Sequence, residues 1–423
     1  MHHPTRRGLV PLFAAMLALA GGPAAAQPQP PGATVDSLLS HARQSNPEFA
    51  FMQREAEAAA ARVVPAGNLP DPSFSIELRD ITRDGTISPT LSPARVGSTK
   101  YTLRQMFPWP GKRDLARSAA EASADQSSQA ARATWNELAM RIKVAHARRY
   151  ELAQRRQIVG EIDALLSNLE SVTRTRYAGG LASQADAVRA LSERTMLRGE
   201  LISLAAQART VDAQLNALLA RLPDAPLAAP ARLQVPAEDL PFAALAERLR
   251  DRSPDLAADR ARLDSAERSR ELAYRNRYPD FALAVSPIQR DNRLADWDVM
   301  FEVTIPLQQG TRRAQEREAE AMVAAASARR EATMQRAMGE LGTALAQLAG
   351  AREMARLTEA SLLPQARLNL QTALVAYESG KADFPALLDA ERQVRQARLS
   401  QLAAEVEAQM RLAEIERLIG EDL

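Results

Sequence analysis

Tyr101-Thr102-Leu103-Arg104-Gln105-Met106-Phe107-Pro108-Trp109-Pro110-Gly111-Lys112-Arg113 is a stretch in which one kind of structure hands over to another. As far as Phe107, residues Thr99, Tyr101, Leu103, Gln105 and Phe107 alternate with Lys100, Thr102 and Arg104, the period of a strand with unlike faces. Pro108 and Pro110 then end the strand, and Pro110 can open a helix because its missing N–H has no helical partner there anyway. No further proline occurs before Pro223, so a very long helical segment follows. The same handover returns roughly 200 residues later as Ile305-Pro306, Gly310 and Arg312-Arg313. Three other landmarks return in the same order: Asn46-Pro47-Glu48 as Ser253-Pro254-Asp255, Leu69-Pro70-Asp71 as Tyr278-Pro279-Asp280, and Tyr177-Ala178-Gly179-Gly180-Leu181 as Tyr377-Glu378-Ser379-Gly380-Lys381. A period this long marks a duplicated half rather than a solenoid unit.

Each half is predicted to contain a helical hairpin. Lys112 to Arg176 could form a rod on the order of 100 Å long, with Gly179-Gly180 as the reversal point. On the returning arm Leu197, Leu201, Leu204, Ala208, Val211, Leu215, Leu218 and Leu222 are spaced alternately by four and three, a coiled-coil seam. The second half repeats the scheme with Leu399, Leu402, Val406, Met410 and Ala413, and Pro364 is expected to kink or break its outgoing arm. The organisation expected is a signal peptide over 1–26, a first repeat over 27–222, a proline-rich linker over 223–241 and a second repeat over 242–423.

Four segments carry strand alternation. Phe74, Ile76 and Leu78 alternate with Ser73, Ser75, Glu77 and Arg79; Phe281, Leu283 and Val285 alternate with Ala282, Ala284 and Ser286; Trp297, Val299, Phe301, Val303 and Ile305 alternate with Asp298, Met300, Glu302 and Thr304. This is the dyad pattern of transmembrane strands with lipid on one side and water on the other. An ordinary antiparallel sheet with one solvated face gives the same pattern strand by strand. Export, four such strands and the lack of another anchor favour the membrane. Four strands cannot close a barrel, and open edges are not tolerated in lipid, so the chain is expected to oligomerise; three copies would supply twelve strands. Ile81 to Val96 and Gln289 to Asp296 are read as the strand-connecting loops on the extracellular side.

Arg6-Arg7, the apolar run Leu9 to Ala20 and Ala24-Ala25-Ala26 have the form of a secretory signal cut near Gln27. The chain has no cysteine, which excludes disulfides, thiolate metal sites and an acylated N-terminal cysteine. Without the signal's two arginines, basic and acidic residues balance, which argues against a nucleic-acid partner. Beyond the signal only His41 and His146 remain; they are read as helix-surface histidines, and the scattered methionines as packing residues. No nucleophile–base pair, metal motif or phosphate loop is present, so no enzyme activity, cofactor or metal is expected.

The ordered set of helix, strand pair, hairpin and tip motifs resembles the TolC-type outer-membrane efflux ducts over essentially the whole mature chain, and Gln105 to Arg113 looks most like the heavy-metal branch of that family, the ducts of copper or cobalt-zinc-cadmium exporters. The resemblance implies a homotrimer in which a twelve-stranded barrel continues into an α-helical tunnel across the periplasm. It also implies cargo delivered by an inner-membrane pump through a periplasmic adaptor protein. By residue match, Gly180, Leu181, Ser183, Gly380 and Lys381 would meet the adaptor. Asp186, Tyr377 and Asp389 would belong to the entrance gate, where a trimer turns one aspartate into a ring of three that attracts cations. Phe107, Trp109 and Trp297 would sit at the membrane interface, in contact with outer-membrane lipid. The sequence departs from the family at Ala382, where an arginine partner of the gate tyrosine is expected, and at Ala386, where a second acidic residue can occur. A type I secretion exit duct and a periplasmic coiled-coil scaffold stay open as alternatives.

Overall fold

The computed structural model describes residues 30–82, 90–180, 183–233 and 241–423. The proposed signal, Leu181, part of the first strand-connecting loop and part of the linker lie outside the described residues. Chain order is α1 (Val35–Ser45), α2 (Pro47–Ala61), α3 (Val63–Gly67), β1 (Ser73–Arg79), β2 (Ser98–Phe107), α4 (Lys112–Ala178) and α5 (Gln184–Leu218). The second half follows with α6 (Phe242–Arg252), α7 (Pro254–Arg275), β3 (Asp280–Arg290), β4 (Arg293–Thr304), α8 (Gln309–Leu357), α9 (Leu363–Glu378) and α10 (Phe384–Ile419). Each half therefore runs helices, strand pair, long hairpin.

Local chemistry starts and stops these elements. Asn46 caps α2 by accepting from the Phe49 N–H, with Pro47 in the first turn where no donor is needed. Gly111, at φ 87°, turns the chain from the strand exit into the 67-residue α4. The second long arm is irregular before Pro364, as expected of a proline, but it is not broken. Helix α8 passes through a π turn, Thr358–Leu362, in which the Leu363 N–H donates to the Thr358 carbonyl, and α9 continues from it. The wider i→i−5 turn absorbs the missing donor and the ring, so the proline does not break the arm. The α5 seam also ends earlier than its heptads suggest. Leu197, Leu204 and Leu215 are buried, but Ala220 adopts φ 54° and turns the chain, leaving Leu222 exposed and Leu219 buried in its place.

The four strands form one antiparallel sheet in the order β1-β2-β3-β4. Gln289 to Asp296 is not a loop: β3 and β4 pair almost to the tip, and the turn is Asp291-Asn292, with φ 47° and 61°. Two left-handed residues make the turn whose twist matches a hairpin. Register aligns Phe74 with Leu103, Leu103 with Val285, and Val285 with Val299, so one face carries a continuous apolar row. Trp297, Val299 and Phe301 are 66–71% exposed on it, and Ile305 lies just past the strand end. On the other face Lys100 reaches Asp298 at 2.8 Å and Arg104 reaches Glu302 at 2.8 Å, across β3. Buried Ala282, Ala284 and Ser286 leave room for those long side chains to pass over the strand between them. No described helix is long and apolar enough to cross a membrane.

The core is divided along the length of the molecule. Leu152, Val159, Ile162 and Leu166 of α4 pack with Leu197 and Leu204 of α5 and with Tyr377, Phe384 and Leu387 towards the tips. Leu245, Leu249, Leu256, Leu341, Leu348, Ile415 and Ile419 form a second core among α6, α7, α8 and α10. The linker is not free over its described part: Ala228 and Ala231 donate to the carbonyls of Pro31 and Ala33, and Arg149 holds the Leu227 carbonyl.

Candidate functional site

At the first tip, α4 ends in Gly179 and Gly180, the latter at φ 74°. Ser183 then begins α5 with a reciprocal cap, its hydroxyl accepting from the Asp186 N–H while the Asp186 carboxylate accepts from the Ser183 N–H. Asp186 is thus engaged within its own helix end, and Arg189 lies 3.7 Å from it. At the second tip Gly380 has φ 75°, and the N–H groups of Lys381 and Ala382 both donate to the Ala376 carbonyl. Asp383 caps α10 through the Ala386 N–H. Gly180, Ser183, Gly380 and Lys381 are exposed.

Tyr377 is buried, 4% exposed, against Phe384 at 5.7 Å between ring centroids. Its hydroxyl is 3.0 Å from the Thr173 hydroxyl. The arginine that the sequence lacks at position 382 comes from the other hairpin. Arg176 lies over the Tyr377 ring at 4.9 Å, and its guanidinium donates to the carbonyls of Tyr377 (2.8 Å) and Glu378 (3.2 Å). A cation over the aromatic face and at the last carbonyls of α9 is favoured by both the ring quadrupole and the helix dipole. Sequence reasoning missed Arg176 because local spacing says nothing about a partner in the other half; the one available signal was a cation immediately before the tip glycines.

Asp389 is exposed and lies 3.5 Å from Arg392. It lines a cleft of about 240 Å³ with Arg189, Glu193, Met196, Leu388 and Arg392. Glu193 of α5, which no sequence pattern singles out, is the hub. It is 4% exposed and accepts from Arg392 at 2.7 Å, with Arg395 at 3.5 Å, both on α10. The Arg392 hydrogen bond holds the Glu193 carboxyl below the usual carboxylate range despite its burial. One turn further, Arg398 donates to Glu161 of α4 at 2.6 Å. These pairs clamp α10 onto the first hairpin.

At the other end of the long helices, Trp109 stacks on Tyr278 at 5.0 Å and lies 5.6 Å from Phe281, which in turn meets Phe301. Asp280 accepts from the Trp109 N–H and from Lys112, each at 2.8 Å, joining the exit of β2 to the start of β3. Phe107 is 40% exposed, and Trp297 lies opposite Pro287 near the far hairpin. His146 is not on a helix surface: it is 3% exposed within α4, and burial pulls its imidazole below the ordinary value. No group of three or more acidic or histidine side chains among the described residues is placed to hold a metal.

Residues 245–421 match the outer membrane efflux protein family. Among solved structures the fold is similar to the outer membrane protein VceC from Vibrio cholerae, at 18% identity with TM-score 0.77, covering 92% of this chain and 96% of that one. CusC, described as a protein that folds into a transmembrane channel, matches at 18% identity and TM-score 0.75 over 92% of each chain. The open-state MtrE outer membrane channel from Neisseria gonorrhoeae matches at 17% and 0.73, over 92% of this chain and 89% of that one. No curated protein sequence matches. The chain therefore has the fold of these outer-membrane channel proteins, and its residues 245–421 match the outer membrane efflux protein family.

Proposed function

We propose that the chain is the outer-membrane channel of a tripartite efflux system, passively conducting cargo passed on by an inner-membrane pump through a periplasmic adaptor. The observation that carries this reading is the four-stranded sheet: greasy on one face, ion-paired on the other, unclosed at β1 and β4, and continuous with helices of 67 and 49 residues. An open sheet edge in lipid would leave backbone groups unpaired, and three copies remove every edge. Exposed apolar residues on the hairpins, Val188, Leu191 and Ile202 on α5 with Leu368 and Val375 on α9, supply faces for neighbouring copies. In this reading the halves 27–222 and 242–423, joined by 223–241, each contribute two strands and one hairpin after removal of 1–26.

The tips form the periplasmic entrance. Gly180, Leu181, Ser183, Gly380 and Lys381 meet the adaptor; Tyr377 with Arg176 latches the second tip to the first, Asp389 lines the mouth, and Asp186 acts there through the helix end it caps. Phe107, Trp109 and Trp297 mark the two membrane interfaces. Heavy-metal cations are the cargo class we infer, on the likeness of Gln105 to Arg113 alone. A deletion strain compared with its parent across a panel of metal salts tests the cargo: raised sensitivity to copper, cobalt, zinc or cadmium supports it, and equal sensitivity removes it. Membrane fractionation tests the rest. Retention in carbonate and release only by detergent fits the channel, whereas release by carbonate alone would make the protein a periplasmic scaffold.

A further inference from the structure

Glu391 stands out among the buried charged residues. It is 0% exposed, and neither carboxylate oxygen has a hydrogen-bond partner. Native proteins rarely leave a buried carboxylate in that condition, because an unpaired charge in a low-dielectric site is costly. Its place in the fold explains the burial. Leu387, Glu391 and Val394 share one face of α10 by their spacing, and both Leu387 and Val394 belong to apolar clusters that include Leu370 of α9. Glu391 thus occupies a seam position where the pattern asks for leucine. It lies seven residues into α10, about 10 Å from the tip.

The charged groups around it are few. Arg392 and Arg395 lie on its own helix, and Glu193 faces it from α5. Arg367, the one basic residue of α9, points to solvent. On α4, Glu161 is paired with Arg398, while Asp163 and Glu170 are paired with Arg194. Among the described residues, the cations that act on Glu391 are the two that hold Glu193.

We propose that Glu391 is a proton-operated release for the clamp between α5 and α10. Neutral, it makes no demand for a cation and packs as a seam residue, so Arg392 and Arg395 stay on Glu193. Ionised, it competes for Arg395 four residues along the helix. The 3.5 Å contact of Arg395 with Glu193 and its 4.0 Å contact with Glu200 then yield, and α10 loosens from the first hairpin.

Burial, opposed by Arg395, raises the Glu391 carboxyl to about 7. The folded chain holds this proton more tightly than the unfolded chain does, so the packing is strongest at and below the usual carboxylate range. It weakens as pH rises towards and through about 7. Glu193, held below its usual value by Arg392, stays ionised throughout that window.

Hydrogen exchange on the assembled full chain, corrected for base catalysis, tests the release at pH 6 and pH 8. Wild-type protection over residues 384–398 is expected to fall about tenfold or more between the two, the size of a shift of one pKa unit. Glu391→Gln and Glu391→Leu, which cannot ionise, should show the pH 6 protection at both. An equal fall in wild type and in either variant overturns the proposal, and so does undiminished protection of the wild type at pH 8, whether or not the variants assemble. The role of the clamp at an entrance rests on the function proposed above, and conductance measured beside exchange separates the two. Exchange that follows pH with conductance that does not counts against the entrance and leaves the release standing.

Discussion

The two hairpin tips stand at equivalent places, 200 residues apart, and are held in opposite ways. Tyr177 of the first is 47% exposed; Tyr377 of the second is 4% exposed, bonded to Thr173 and covered by Arg176. Among its described residues the first tip is closed by its own cap, Ser183 with Asp186. The second is tied to the first through Arg176 and buries Phe384 fully in the shared core. At the same offset Asp186 becomes Ala386 and Arg189 becomes Asp389, so the reciprocal cap is lost and an exposed acid gained. Of these two similar turns, one carries its own reciprocal cap and the other leans on a side chain of its neighbour. A contact that spans the halves can be released without unfolding either, which suits the second tip to movement.

Six substitutions would break or sharpen this contrast. Phe384→Ala should cost about 3–5 kcal/mol by removing a fully buried ring, visible as a lower midpoint of unfolding in detergent, whereas Tyr177→Ala should cost less than about 0.5 kcal/mol. Comparable losses would mean that the first tip is buried in the assembly. Arg176→Ala should cost about 1–3 kcal/mol and speed exchange at residues 377–382 more than at 177–180. Equal acceleration at the two tips would show that Arg176 serves both. Glu193→Gln should cost about 1–2 kcal/mol, a buried-pair loss moderated by the half-exposed Arg392. Since its carboxyl is held below the usual range, the contribution of Glu193 is present above the ordinary value near 4.5 and lost as pH falls through the lower folded one, the reverse of Glu391. A stability profile in which Glu193→Gln flattens the acid side and Glu391→Gln the neutral side would separate the two groups. The smallest change in stability, within about 0.5 kcal/mol, is expected for exposed Asp389→Ala. Its readout is electrical: conductance in planar bilayers should rise, or block by multivalent cations weaken, and unchanged values for both would remove Asp389 from the mouth.

Much of this molecule was legible before folding, because its elements are periodic. The alternation from Thr99 to Phe107, the proline-free run after Pro110 and the glycines at each tip each state a local preference that tertiary contacts reinforce. Legibility failed where a rule of composition competed with a neighbour in space. Pro364 reads as a breaker, but packed surroundings tolerate a π turn. His146 reads as a surface group until the N-terminal segment and linker are seen to lie across α4. Gln289 to Asp296 reads as a loop, whereas the left-handed pair Asp291-Asn292 confines the turn to two residues.

The sequence by itself determined the repeated order of elements, the hairpins and the two-faced strands, which follow from repeat distances and from periods of 2.0 and 3.6 residues. Tertiary structure alone decided which side chains cooperate at the tips. Arg176 reaches Tyr377 across 201 residues, Arg392 reaches Glu193 across 199, and Glu391 is buried between Leu387 and Val394 with no partner. Such pairings depend on how two hairpins are rotated against each other. That rotation is set by the summed packing of many apolar residues rather than by any local pattern.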